Sequence, residues 1–204
     1  MRRQIVPALG MLVVFTIITG LLYPLLVTGI GQVLFNHQAN GSLVEVDGRV
    51  VGSELIGQTF TEPIYFHPRP THLAFEEDPD TGEERAADLD SFDPRDSGGA
   101  NLGANDPALH AMFEEFAAAF RETNNLPADA VIPVDAVTMS ASGLDPMISI
   151  ANAELQAPRV AQARGVPVDQ VLDLVGEHTT QRALGFLGEK GVNVLTLNVA
   201  LDTL

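Results

Sequence analysis

IVPALGMLVVFTIITGLLYPLLVTGIGQVLF, residues 5–35, is an almost wholly apolar stretch near the start of this 204-residue chain. No Asp, Glu, Lys or Arg occurs between Arg3 and Glu45. About 20 apolar residues suffice for a helix to cross a bilayer. A cleaved signal peptide would instead have an apolar core of about 7 to 15 residues followed by a small-x-small site, whereas this stretch is followed by NHQANGS. The sequence therefore predicts a retained transmembrane helix.

The charges on either side of this stretch predict its orientation. Arg2 and Arg3 precede it, and no basic residue follows it closely. The positive-inside rule then holds the N-terminus in the cytoplasm. We expect a single-pass protein of the cell (inner or plasma) membrane. Residues 1–35 would be the cytoplasmic N-terminus and transmembrane helix, and residues 36–204 a single extracytoplasmic domain.

Composition limits what this outer domain can bind. It holds nine basic residues against all 27 acidic residues of the chain, which gives a net charge of −18. Such a charge argues against nucleic acid as a partner and against a general phosphate-binding surface. The segment GFLGEKG is not a P-loop, because Gly191 follows Lys190 where that motif requires Ser or Thr. The chain has no cysteine, which excludes disulfides and thiolate chemistry.

Local signals predict a mixed α/β fold for the outer domain. Asp47-Gly48 indicates a β-hairpin over residues 42–53. Asp106 and Pro107 are typical of a helix start, and the apolar spacing predicts an amphipathic helix over residues 106–125 that packs on the core.

The C-terminal half is predicted to be rich in helices. Ser149 is expected to cap one helix, Pro158 to begin a second that ends at Gly165, and PVDQVLDLVGEH to form a third. The alternating apolar residues of VNVLTLNVALD, residues 192–202, predict a strand.

An acidic stretch at about residues 72–96 interrupts the domain. Residues 76–96 contain ten acidic residues and only two arginines, which predicts a solvated loop. DPDTG within it is similar to a calcium loop, but Gly82 is fifth from Asp78 where an EF-hand has glycine sixth. A second hypothesis is that the negative charge of this loop concentrates cations around it.

The stretch SASGLDPMIS, residues 140–149, raises the question of serine catalysis. A nucleophilic serine needs a neighbouring base, and neither G-x-S-x-G nor a histidine arrangement occurs around Ser142. His67 and His72 flank Pro-Arg-Pro, which excludes a helical metal-binding pair, and no third ligand is evident. The sequence thus predicts no catalytic residue and no metal site.

Several blocks of sequence occur together in one order. They are QANGSL (38–43), GSELIGQTF (52–60), YFHPRPT (65–71), SGGANL (97–102), SASGLDPMIS with Gln156 and Arg159, RVAQARG (159–165) and NVLTLNVALD. Behind one N-terminal span, they resemble the C subunit of the Kdp potassium-transporting P-type ATPase family. The resemblance covers nearly the whole chain, and the acidic stretch is longer than that family's pattern.

The resemblance implies a non-catalytic subunit of a high-affinity potassium uptake complex. A channel-like subunit and a P-type ATPase subunit would be its partners, together with the lipid bilayer, and this chain lacks the D-K-T-G phosphorylation motif of such pumps. The family is described as a catalytic chaperone that stabilises the assembly and raises the pump's affinity for ATP. ATP and potassium would be handled by the complex, with no cofactor bound directly by this chain.

The resemblance also implies site residues. A nucleotide-linked role is suggested for Ser140, Ser142, Gly143 and Gln156. Partner contacts are expected at Gln38, Asn40, Gly41, Arg69, Asn101, Asp145 and Arg159. The predicted topology conflicts with direct nucleotide contact, because these residues would lie outside and ATP inside, so we expect a turn that docks on a partner. The alternative function is a free-standing, membrane-anchored extracytoplasmic binding domain.

Overall fold

The computed structural model describes residues 2–71, 75–77, 84–86 and 94–204. Contacts between Cα atoms divide it into two compact units, Met1–Leu43 and Val44–Leu204. Because the second unit contains both helices and strands, the predicted mixed α/β class is confirmed.

The first unit is dominated by one long apolar helix. It runs from Arg3 to Leu34, with a mean hydropathy of 2.4, and is long and apolar enough to cross a membrane. It comprises α1 (Arg2–Ile17), a π-helical turn (Ile18–Leu22) and α2 (Tyr23–Leu34). A proline inside a helix commonly kinks it. The π turn lies just before Pro24, and there the Tyr23 amide donates to the Ile18 carbonyl. Such a turn re-registers the hydrogen bonds ahead of a residue that has no N–H.

The helix ends at Phe35, whose backbone leaves the helical region, and the short helix α3 (Asn36–Ala39) follows. The predicted hairpin comes next and is confirmed, with strands β1 (Leu43–Val46) and β2 (Arg49–Ser53). Asp47 and Gly48 between them have φ angles of 51° and 74°. Both values are left-handed, as the type I′ turn of a two-residue hairpin requires.

The predicted acidic loop lies for the most part outside the described residues, as do Gly82 and His72. Within it, β3 (Phe75–Glu77) pairs antiparallel with β4 (Glu84–Ala86), Phe75 opposite Ala86. These two segments are therefore strands, which the sequence did not predict.

Helix α4 (Pro107–Thr123) begins where the sequence predicts, and Asp106 accepts a hydrogen bond from the Ala108 amide. Its expected apolar stripe is half-buried at every position, and no residue of the helix is fully buried. The stripe comprises Leu109, Met112, Phe113, Phe116 and Phe120. The helix thus lies at the edge of the fold, instead of on the central core.

Helix α5 (Ile150–Arg164) is capped by Ser149, whose side chain accepts from the Asn152 amide, and it ends at Gly165 with φ 71°. The prediction that Pro158 begins a separate helix is wrong, because α5 continues through it. Pro158 lies on the exposed side of the helix, whereas the adjacent Ala157 and Arg159 are buried. The backbone hydrogen bond that Pro158 cannot make is therefore lost on the exposed side and not in the interior, and packing of the buried face stabilises the helix.

The C-terminal segment holds the second correction. Helix α6 (Val168–Glu177) is as predicted, but the predicted strand over 192–202 is mostly helix α7 (Val194–Leu201). The Asn193 side chain caps α7 by accepting from the Thr196 amide at 3.1 Å. Its buried positions follow helical spacing: Val194, Leu195, Leu197, Asn198 and Leu201. The segment is apolar on nearly every side, so alternation alone could not distinguish a strand from a buried helix.

A small antiparallel sheet joins these helices. Its strands are β5 (Met147–Ile148), β6 (Thr179–Thr180) and β7 (Gly191–Asn193), in the order β5-β7-β6. The core lies between this sheet, α5, α6 and α7. Its fully buried members include Phe66, Ile148, Val160, Val171, Val192, Leu197 and Leu201.

Candidate functional site

Blocks that are far apart in sequence meet around residues 138–145, which we name the central turn. The Gly57 amide donates to the Leu144 carbonyl at 2.7 Å. The Gly98 amide and the Ser97 hydroxyl both donate to the Ser142 carbonyl, at 2.9 and 3.0 Å. A Cβ on Gly57 would lie 2.8 Å from the Asp145 carbonyl oxygen, which is too close for any side chain. Glycine is thus required where the 52–60 block crosses the turn.

Arg69 holds the same turn from the other side. Its Nη1 donates to Asp145 Oδ2 at 2.8 Å, and these side chains are 21% and 30% exposed. Its other nitrogens donate to the carbonyls of Thr138 and Met139. Asp145 Oδ1 also accepts from the Met147 amide at 3.0 Å. Both residues, which the sequence predicts as partner contacts, therefore shape the turn and remain partly accessible at its edge.

The two serines form a capped turn. Ser142 Oγ accepts from the Leu144 amide at 3.1 Å and lies 3.3 Å from Ser140 Oγ. Gly143, which follows Ser142 and is buried, has φ 70° and donates its amide to the Ser140 carbonyl. Neither partner of the Ser142 hydroxyl is a base that could take its proton. The geometry supports a shaped surface, as the sequence predicts for this stretch.

Part of this region is open to solvent. Ala141 and Ser142 are exposed, as is Asn101, whose φ of 52° is stabilised by its side-chain donation to the Gly99 carbonyl. A cavity of about 310 Å³ lies beside them. Its walls come from residues 99–102, residues 138–141 and the α4 side chains Leu109, Met112 and Phe113. This face could receive a partner's side chains without rearrangement of the fold.

Gln156 and Arg159 lie elsewhere, in the interior. Gln156 is 1% exposed and Arg159 is 6% exposed. The Gln156 amide pairs with the backbone of His67: its Oε1 accepts from the His67 amide at 2.7 Å and its Nε2 donates to the His67 carbonyl at 3.0 Å. The same Oε1 accepts from Arg159 Nη2 at 2.8 Å. These two predicted contact residues are therefore engaged inside the domain, which is at odds with direct contact to nucleotide or partner.

Arg159 is a buried cation, and the groups to which it donates within the described part of the chain are all uncharged. Its Nη1 donates to the carbonyls of Pro63 and Tyr65, at 2.6 and 2.9 Å, and its Nε to Asn124 Oδ1 at 2.9 Å. Burial lowers the pKa of the guanidinium to about 10, so it remains charged at neutral pH.

Two further residues complete this arrangement, and the sequence analysis missed both. Arg164 Nε donates to the Ile64 carbonyl at 2.7 Å, and the Asn198 amide pairs with both the amide and the carbonyl of Phe66. Every backbone carbonyl from residue 63 to residue 67 thus accepts from a side chain of α5 or α7. We name residues 63–67 the clamped segment; it begins in a turn, in which the Tyr65 amide donates to the Glu62 carbonyl at 3.1 Å. Polar residues at helical spacing among the alanines of α5 were the signal that could have identified this role.

His67 is the last residue of the clamped segment and is half-buried. Its Nε2 lies 3.2 Å from the Glu62 carbonyl. Burial first, and then the positive charge of Arg159, lower the pKa of His67 to about 4. The imidazole is therefore neutral at physiological pH. Among the residues that the structure describes, no group of three or more His, Cys, Asp or Glu side chains is placed to hold a metal ion.

The remaining predicted contacts lie in the first unit, after the long helix. Gln38 and Asn40 are exposed, and Gly41 has φ 93° in a tight reversal. The Asn40 and Gln32 amides exchange two hydrogen bonds, each 3.2 Å, and Asn40 also donates to the Asn36 carbonyl at 2.7 Å. Gln32 was not predicted. This amide cluster ends the apolar helix with polar groups, as a boundary between lipid and water requires.

Comparison with known proteins gives the family. The family model described as "KdpC: K+-transporting ATPase, c chain" matches residues 5–203. The chain belongs to the KdpC family. It is 55% identical over 204 residues to the potassium-transporting ATPase KdpC subunit of Mycobacterium tuberculosis strain H37Rv, covering 100% of both chains. The subunit of Gemmatimonas aurantiaca is 50% identical, over 100% of this chain and 94% of its own. That of Bradyrhizobium diazoefficiens is 47% identical, over 99% and 98%.

The KdpC match confirms the family suggested by the sequence blocks. The matched residues include nearly all of the apolar helix, the central turn and the clamped segment. The chain is accordingly a subunit type of a potassium-transporting ATPase, with one helix able to cross a membrane.

Proposed function

We propose that this chain is a non-catalytic accessory subunit of an ATP-driven, high-affinity potassium uptake complex. It would stabilise the assembly of a channel-like subunit with a P-type pump subunit, in which catalysis lies. The observation that carries this proposal is the KdpC match over residues 5–203, which covers both the apolar helix and the domain that follows it. The capped serines of the central turn agree with a surface role, since their hydroxyl contacts include no general base.

In this proposal the helix Arg3–Leu34 is a single-pass anchor in the cell membrane. Its N-terminus is cytoplasmic and the domain extracytoplasmic, for which Arg2, Arg3 and the −18 charge of residues 36–204 are the support. An effect on ATP affinity then cannot come from direct contact. It would be a coupling free energy between docking outside and nucleotide binding inside, carried by the assembled subunits.

The docking surface proposed here is the exposed side of the central turn, with Asn101, Ser140, Ser142 and Asp145. Gln156 and Arg159 contribute indirectly, because they fix the clamped segment, which positions the following Arg69 against the turn. Gln38, Asn40 and Gly41 would contact a partner close to the membrane. Nucleotide-linked effects of Gly143 and Gln156 would follow from the shape of this surface.

Purification of the full chain in mild detergent tests this function. We expect stoichiometric co-purification with the two large subunits, and we expect Ala141→Arg to reduce it. Ala141 is exposed beside the cavity, so the substitution adds a bulky cation to the surface while removing no hydrogen bond. Ala163→Arg, on the exposed side of α5, is the matched control. A chain that purifies alone, with transport unaffected by its loss, would support the free-standing binding domain instead.

The topology has its own test, which the absence of native cysteine makes simple. A single cysteine replacing exposed Ala163 should react with a membrane-impermeant maleimide added to intact cells. A cysteine replacing Gln4 should react only after the membrane is opened. Reversal of this pattern, or a mature N-terminus near Asn40, would contradict the proposed orientation and anchor.

A further inference from the structure

The loop between β6 and β7 presents apolar side chains to solvent. All ten of its residues, 181–190, are exposed, and we name this loop the apolar tip. Leu184 is 83% exposed, Phe186 70% and Leu187 50%. Removal of these side chains from water on binding is favourable. A contiguous exposed group of this kind marks an interaction site more often than a scattered surface leucine does.

The tip is an ordered structure, held by its own backbone. The amide and carbonyl of Ala183 bond those of Leu187, both at 2.9 Å, and the Gly185 amide donates to the Arg182 carbonyl at 3.0 Å. Leu184 has φ 54°, a conformation that a leucine seldom adopts. Arg182 and Glu189 close the base of the loop with an ion pair of 2.7 Å. The apolar side chains are thus fixed outward before any partner arrives, which lowers the entropic cost of binding.

The charge of the tip is opposite to that of the rest of the domain. Arg182 and Lys190 against Glu189 give the tip a net charge of +1, whereas the remainder of residues 36–204 has −19. Lys190 is the only lysine of the chain, is exposed, and makes no hydrogen bond or ion pair with the residues that the structure describes. The tip therefore combines exposed apolar groups with an unpaired positive charge.

We propose that the apolar tip inserts into an apolar pocket, bordered by acidic groups, on the potassium-conducting membrane subunit of the complex. A protein that admits cations has a negative potential at the entrance to its path. That potential repels most of this acidic domain and attracts the tip. The proposal rests on the proposed function, because it requires the chain to assemble with that subunit.

An anionic bilayer is the competing occupant, and the charges disfavour it. A single lysine or arginine adds only a small attraction to an anionic membrane, because electrostatic membrane binding takes a cluster of several basic residues. The bilayer surface is negative everywhere, so it also repels any acidic group that comes within the Debye length of about 8 Å. A pocket on a protein presents its negative charge locally, where only the tip enters.

Site-specific photo-crosslinking in the assembled complex identifies the occupant. Phe186 is replaced by the photoreactive residue p-benzoylphenylalanine, and adducts are identified by mass spectrometry. We expect a covalent adduct with the potassium-conducting subunit. The same residue in place of Val131, 90% exposed outside the tip, is the control and should give no such adduct. An adduct with lipid, or none with any subunit, overturns the proposal.

A substitution experiment measures the energetic contribution of the tip. In Leu184→Asn with Phe186→Ser, asparagine tolerates the positive φ and both residues remain exposed, so thermal unfolding of the chain should be unchanged. Dissociation from the complex should become at least about tenfold faster, as expected when buried anchor residues are removed. Val131→Ser with Val134→Ser removes comparable exposed apolar residues, 90% and 73% exposed, and is the matched control.

The outcomes separate this proposal from the one on which it rests. Unchanged dissociation of the tip variant, in a complex that assembles normally, refutes insertion of the tip and leaves the accessory function intact. Failure of the unmodified chain to co-purify with the large subunits refutes the accessory function itself. Equal acceleration by the two double variants would overturn the assignment to the tip, because it would show a non-specific effect of lost apolar surface.

Discussion

Replacement of Arg159 by methionine is expected to lower the free energy of unfolding of the domain by about 3 to 5 kcal/mol. Methionine fills a similar volume but donates no hydrogen bond. Three acceptors in the interior would then lose the donor that the structure shows for them: the carbonyls of Pro63 and Tyr65, and Asn124 Oδ1. Gln156 Oε1 would lose one of its two donors. Each buried acceptor left without a donor costs about 1 to 3 kcal/mol, partly offset by the guanidinium no longer being desolvated.

Urea denaturation of the detergent-solubilised chain, followed by tyrosine fluorescence, measures this change. Arg182→Met is the control, because Arg182 forms an exposed ion pair with Glu189 and its loss should cost less than about 1 kcal/mol. We also expect Arg159→Met to increase amide hydrogen exchange in the clamped segment before it does so in the rest of the domain. Equal stability of the two variants would show that the buried guanidinium is not what holds residues 63–67.

The clamped segment shows how the domain satisfies buried backbone groups outside its small sheets. Buried backbone amides and carbonyls are normally paired with the backbone of a neighbouring strand or helix. Here side chains of two helices do so: Gln156 and Asn198 each make the two bonds that one residue of a paired strand would make. The segment enters the core with Phe66 fully buried and leaves it with Arg69 directed at the central turn. Interior packing and the exposed docking surface are thus parts of one arrangement.

The sequence predicts those elements whose signals are local. Asp47-Gly48, Asp106-Pro107 and Ser149 each specify a backbone conformation within a few residues, and each feature occurs where it was expected. Two predictions failed because tertiary packing overrode a local rule. Pro158 is tolerated on the outer face of α5. Residues 194–201 form a helix despite their alternating apolar residues, because a short, mostly apolar segment fits a buried helix as well as a strand, and packing decides between them.

The candidate site was predictable in part. The family blocks correctly identify residues that converge, since Gly57, Gly98 and Arg69 all bond the central turn. They do not reveal which residues face solvent. Asn152, Gln156 and Arg159 follow helical spacing alongside Ala153, Ala157 and Val160, so they share the buried face of α5. The partners of Gln156 and Arg159 lie about 90 residues away in sequence, at Pro63, Tyr65 and His67, and only the folded chain brings them together.

His67 should make the stability of the domain depend on pH between about 4 and 6.5. Its pKa is lowered to about 4, through burial first and the charge of Arg159 second, from the ordinary 6.5 of the unfolded chain. Between pH 6.5 and pH 4, His67 is protonated in the unfolded chain but remains neutral in the folded domain. Stability is therefore complete above pH 6.5, falls as the pH drops, and stops changing for this reason below pH 4. The total loss is about 2 to 3 kcal/mol, allowing for solvent around a half-buried ring.

Urea midpoints at several pH values from 7 to 4 measure this dependence. His67→Asn removes the titrating group while retaining a polar side chain, and it should flatten the slope within this window. His110→Gln, at an exposed position of α4, is the matched control and should retain the full slope. Because most carboxylates titrate below about pH 5, the decisive comparison lies between pH 6.5 and 5. Identical slopes for the unmodified chain and His67→Asn in that interval would assign the pH dependence to other groups, and would show that protonated His67 is accommodated beside Arg159.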